Sequence, residues 1–155
     1  MAVFTAAEAL EMAMEIEKNG ETFYNAVATK STDPKVKVLF EDLAVQERGH
    51  YLVFQKMLGG VKSVPELPTA MYDEYQAYLQ VALDNALFAG PDKALSLAKR
   101  AKDRETALRA AMGFEKDTLL FFYDLREMVG EADRDAISGI IREEKTHLRR
   151  LAMML

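Results

Sequence analysis

Apolar residues recur every three or four positions along most of this chain, and no stretch of useful length alternates with a period of two. The pattern predicts helices and no strands. Thr5, followed three residues later by Glu8, reads as a capping box that opens a helical run to about Lys30. Ser31-Thr32-Asp33-Pro34 closes that run and starts a second one, with Asp33 as N-cap and Pro34 at the first helical position. The second run ends at Gly59-Gly60. Residues 61–68, which contain Pro65 and Pro68, predict a loop, and 69–88 a further helical stretch that stops at Gly90-Pro91. A short helix follows over 92–102. Asp103 can then cap a long helix reaching Val129, Gly130 ends it, and a last helix covers 133–154. Four long helices, with a connection of about 40 residues between the second and third of them, predict an all-α bundle. So long a connection must cross the bundle, joining one up-down pair to another.

Charged residues interrupt the apolar stripes at one level only. The stripe of the second helix is Phe40, Leu43, Glu47, His50, Phe54, Met57, and that of the last is Ile137, Ile140, Glu144, His147, Leu151, Met154. Both have the same spacing, and in both a Glu and a His stand where apolar residues belong. The first helix has Leu10, Met14, Glu17, Tyr24, Val27; the helix after Asp103 has Leu108, Met112, Glu115, Phe122, Leu125. Each again carries one Glu near its middle. The chain reads as a tandem repeat, AMEIEKNGETFY over 13–24 matching AMGFEKDTLLFF over 111–122, with the two Glu-x-x-His helices at a similar offset.

Mid-helix residues of an antiparallel bundle meet at one depth whichever way each helix runs. Glu17, Glu47, Glu115 and Glu144 should therefore converge in a water-poor core. An uncompensated buried carboxylate costs several kcal/mol, and four would repel one another, so a cation must lie between them. No Lys or Arg interrupts the stripes at that depth; Lys18 and Lys116 adjoin two of the glutamates but point about a quarter turn away. Two divalent metals balance four carboxylates and two neutral imidazoles. A Glu and a His three apart share a helix face, so His50 and His147 can each join their own glutamate on one metal. Ligands rich in carboxylate, with imidazole and no thiolate, favour iron or manganese over Cu(I) or structural zinc. A small helix rotation would exchange Glu144 for its neighbour Glu143, but Glu144 keeps both the stripe and the repeat.

Composition narrows the picture further. A chain of 155 residues suits one domain over 1–155. With 20 Lys+Arg against 25 Asp+Glu, a net charge of −5 argues against nucleic acid and against a polybasic membrane patch. Zero cysteines exclude disulfides, thiolate catalysis and Cys-ligated zinc or iron. The acidic residues near the start do not suit a signal peptide, and no apolar run reaches membrane-spanning length, so a cytoplasmic location is expected. Tyr24 and Tyr123 lie seven and eight residues after Glu17 and Glu115, where their hydroxyls could serve as donors to ligating carboxylates.

One Glu from each of two helices, with Glu-x-x-His from each of the other two, resembles the ferritin-like dimetal carboxylate proteins. The segments EKNGETFY and EKDTLLFFY, the internal duplication and the short helix in the connection resemble the rubrerythrin branch more narrowly. That resemblance implies a ferritin-like antiparallel four-helix bundle with a long helical crossover. It makes Glu17, Glu47, His50, Glu115, Glu144 and His147 the ligands of two iron ions, flanked by Tyr24 and Tyr123. It further implies a homodimer that reacts with peroxide or O₂ and is reduced by a separate electron-donor protein, or else an iron-handling ferroxidase. Two departures stand out. The cysteines of a rubredoxin domain are missing, and Thr118 occupies the position three after Glu115 where rubrerythrins carry another carboxylate.

Overall fold

The helices begin where the capping residues lie. In a computed structural model, which describes residues 5–61 and 90–155 with Glu74 and Ala77 between them, α1 spans Ala6–Lys30 and α2 Pro34–Gly60. At the start of α1, Thr5 Oγ1 accepts from the Glu8 N–H at 3.1 Å while Glu8 Oε2 accepts from the Thr5 N–H at 2.8 Å, a complete capping box. Asp33 Oδ1 accepts from the Lys35 N–H at 2.9 Å, and Pro34, which has no N–H to lose, follows it.

The short helix α3 covers Pro91–Arg100, α4 covers Arg104–Met128 and α5 covers Glu131–Met154. Gly90 caps α3 at φ 121°, a conformation open to glycine and strained for other residues. Asp103 caps α4 by accepting from the Thr106 N–H at 2.7 Å. Gly130 ends one helix and starts the next: its carbonyl accepts from the N–H groups of Asp133 and Arg134, so α5 begins two residues before the sequence pattern suggests. The loop expected over 61–68 and the helix expected over 69–88 lie outside the described residues, apart from Val61 and the helical Glu74 and Ala77.

α1 packs along α2 and α4 along α5, each pair joined by a short turn and so antiparallel; α1 also meets α3 and α4, and α2 meets α5. Lys30 donates from Nζ to the carbonyls of Ala98 and Ala101, closing the end of α1 over α3. Within the bundle, Tyr24 packs edge-on against Phe40 at 5.4 Å on one side of the glutamate level, and Phe54 lies tilted against Phe122 at 5.1 Å on the other. The described residues are helices, turns and caps without a strand, and none of these helices is long and apolar enough to cross a membrane.

Candidate metal centre

All six sequence-derived residues meet between α1, α2, α4 and α5. Glu17, Glu47, Glu115, Glu144 and His147 have no exposed surface and His50 retains 4%. Glu144 lies at the middle, with Oε1 2.8 Å from His50 Nδ1 and Oε2 2.8 Å from His147 Nδ1. Glu17 Oε1 is 3.5 Å from His50 Nδ1, while Glu47 Oε1 and Glu115 Oε1 are each 3.4 Å from His147 Nδ1. The two imidazoles are nearly parallel, 17° apart with centroids at 5.7 Å.

The donor atoms sort into two overlapping groups: Glu17, Glu47, His50 and Glu144, and then Glu47, Glu115, Glu144 and His147, with the atoms of each group within 4.8 Å of one another. Glu47 and Glu144 belong to both. Both oxygens of Glu17, Glu47 and Glu144, Glu115 Oε2 and the Nδ1 atoms of both histidines are buried with no well-formed hydrogen bond, facing only one another. Natural proteins satisfy nearly all such atoms, so this many together calls for a ligand that takes lone pairs. A pair of dications fits that donor set.

Without cations, protons take their place. Burial, then the Glu144 charge, holds the carboxyls of Glu17, Glu47 and Glu115 well above their ordinary range. Burial would raise Glu144 too, but the two imidazoles outweigh it and keep Glu144 ionised far below the usual range. Burial works to lower His50, yet the neighbouring carboxylates, Glu144 foremost, lift it to about 9; His147 is raised further by Glu115, Glu144 and Glu47 against the same opposition. The buried Tyr24 hydroxyl donates to Glu115 Oε1, and burial followed by the Glu115 charge keeps that phenol protonated.

Tyr123 does not join it. Seven residues along a helix return to within about 20° of the starting direction, whereas eight overshoot by about 80°. Tyr24 follows Glu17 by seven and lies inside; Tyr123 follows Glu115 by eight and is half-buried, with Arg126 and Lys145 over its ring at 5.2 Å. Its hydroxyl makes no hydrogen bond to a cluster carboxylate among the described residues. The true counterpart of Tyr24 in the repeat is Phe122, which is buried.

Several residues at the centre escape the stripe pattern. Gln46 Oε1 lies 2.7 Å from His147 Nε2, and Glu143 Oε2 2.6 Å from His50 Nε2. Each directly precedes the glutamate of a Glu-x-x-His, and that shared place in the repeat was the available signal. Glu143 is thus the partner of a histidine's outer nitrogen, while Glu144 faces both Nδ1 atoms. Gly20 is the other. A Cβ there would lie 2.9 Å from Glu47 Oε2 and 2.8 Å from Phe114 Cε1, so α1 needs a glycine where helices otherwise disfavour one. Gly20→Ala should destabilise the protein by about 1–3 kcal/mol despite its better helix propensity, as read from denaturant unfolding; a stabilised variant would mean that Phe114 and Glu47 yield freely.

A helical bundle carrying overlapping, buried carboxylate–histidine groups able to hold two metals has the architecture of a ferritin-like protein of the dimetal carboxylate type. The chain belongs to the rubrerythrin family, whose family model matches residues 8–155. Its fold is similar to that of a Thermotoga maritima protein provisionally assigned to the ferritin-like diiron-carboxylate class. The TM-score is 0.69 with 23% identity, over 99% of this chain and 96% of the other. No curated protein matches it.

Proposed function

We propose that this protein is a diiron oxidoreductase that reacts with peroxide or O₂ and is then reduced by a separate electron-donor protein. The observation that carries this reading is the pair of donor groups sharing Glu47 and Glu144. Glu17 and His50 would complete one metal position, Glu115 and His147 the other. Bound iron would supply both the electrons and the Lewis acidity needed to cleave an O–O bond.

The chain's own groups supply the rest. Six residues exposed by 4% or less leave access only to a small oxidant, which agrees with peroxide or O₂. Phe40, Phe54 and Phe122 keep the surroundings apolar, so the charges inside act at full strength. Tyr24 keeps its proton on Oη and directs it at Glu115 Oε1, holding that carboxylate in place. These 155 residues hold no cysteine that could carry a redox centre of its own, so in this reading the reducing equivalents come from outside them; the homodimer is carried over from the rubrerythrin resemblance alone.

Thr118 is wholly buried and its hydroxyl has no hydrogen-bond partner among the described residues. With no carboxylate there, selectivity for peroxide should be weak. Stopped-flow mixing of the Fe(II)-loaded protein with H₂O₂ or with O₂ tests this. Both should oxidise it, peroxide faster by less than about tenfold, and oxidation should stop after one turnover without a donor. Glu115→Ala should be inert. Inertness of the wild type towards both oxidants would remove the oxidoreductase reading, and a strong preference for peroxide would refute the role given to Thr118.

A further inference from the structure

The two halves of the repeat differ in what stands behind each imidazole. Behind His50 Nε2 lies a carboxylate, Glu143 of α5, at 2.6 Å; behind His147 Nε2 lies an amide oxygen, Gln46 of α2, at 2.7 Å. The two occupy equivalent places in the repeat, and each reaches across to the histidine of the other helix. The amide orientation of Gln46 is set from outside. Its Nε2 donates to Asp42 Oδ2 at 2.9 Å, which leaves Oε1 to accept from the imidazole. Asp42 also accepts from Arg150 at 2.7 Å, so the charge behind His147 is balanced. Among the described residues, Glu143 pairs with no Lys or Arg.

The carboxylates on the Nδ1 side differ in the same sense. The Tyr24 hydroxyl withdraws electron density from Glu115, on the His147 side, whereas the repeat places Phe122, without a hydroxyl, where a matching donor to Glu17 would stand. A carboxylate hydrogen-bonded to the far nitrogen of a ligating histidine makes it a stronger donor, and such partners typically change metal affinity by about 10–100-fold.

We propose that the two metal positions are unequal: the one formed by Glu17 and His50 is the tighter and fills first, with Glu143 as the positioning residue that sets this order. The inference rests on the metal centre argued above. The chain has only two histidines, so selective ¹⁵N labelling of histidine reads each position separately.

Zn(II) added in steps to the metal-free protein should perturb His50 Nδ1 during the first equivalent and His147 Nδ1 during the second, with dissociation constants at least about tenfold apart. Glu143→Gln gives both imidazoles a neutral amide; its side chain is 58% exposed, so the fold should persist. This variant should weaken the first step by about tenfold or more and leave the second unchanged. Exchanging the pair, Gln46→Glu with Glu143→Gln, should reverse the order of filling. Two ions taken up together by the wild type, or a Glu143→Gln variant that weakens both steps equally or neither, would overturn the proposed inequality alone. A wild type that binds no Zn(II) would overturn the metal centre itself.

Discussion

Glu144→Gln should abolish retention of both metals and unfold the metal-free protein more easily by about 3–5 kcal/mol at pH 6, because it leaves two buried imidazolium groups without their shared counter-charge. The size of the effect follows from position. Glu144 is the carboxylate within 2.8 Å of both Nδ1 atoms, and it is ionised even without metal because those imidazoles hold it so. Glu17→Gln should be far milder in the metal-free protein, since Glu17 already carries a proton there, and should weaken one metal position more than the other. Glu143→Gln should cost less than about 1 kcal/mol, as befits an ion pair with a largely exposed partner. Urea unfolding and elemental analysis of iron-loaded variants measure both quantities. If Glu144→Gln keeps two metals per chain, Glu144 is not the shared ligand.

Raising the pH from 6 to 9 should destabilise the metal-free protein and stabilise the metal-loaded one. The carboxyls of Glu17, Glu47 and Glu115 sit above their ordinary value near 4.5, so their contribution is complete below that value and is lost as pH climbs through the raised ones. His50 works in the same direction. Its contribution, about 3 kcal/mol, is full below 6.5 and gone once the pH passes about 9. Glu144 is shifted the other way and its contribution persists throughout this window.

Two dications would displace as many as five protons, three from carboxyls and two from imidazoliums, so binding should tighten steeply with pH. At about 1,000 times the dissociation constant, each ion adds about 4 kcal/mol. Thermal unfolding at pH 6 and pH 8, with and without a chelator, separates the two regimes. An unchanged melting temperature on chelation at pH 8 would show that the carboxylates do not bind metal as a cluster.

Much of this centre is visible in one dimension because helix geometry is periodic. A 3-4 spacing names the buried face, so Glu17, Glu47, His50, Glu115, Glu144 and His147 stand out as charges where apolar residues belong, and antiparallel packing brings mid-helix residues to one level. The caps at Thr5, Asp33 and Asp103 are equally local, since each needs only a side chain and an N–H two or three residues away. Tyr123 shows how sharp that periodicity is: one residue of offset carried it to a face under Arg126 and Lys145.

What lay beyond the sequence was the finer relation of one helix to another, namely which side chains answer each other across the bundle. Nothing in the stripes tells that Gln46 answers His147 and Glu143 answers His50, because each contact spans about a hundred residues and depends on how α2 and α5 are rotated against each other. Gly20 is legible only as an anomaly until Glu47 and Phe114 are seen pressed against it. The residue types that bind metal follow from periodicity and charge, but which carboxylates are shared, and what stands behind each imidazole, follow from the packing of four helices, because those distances exist only after the helices meet.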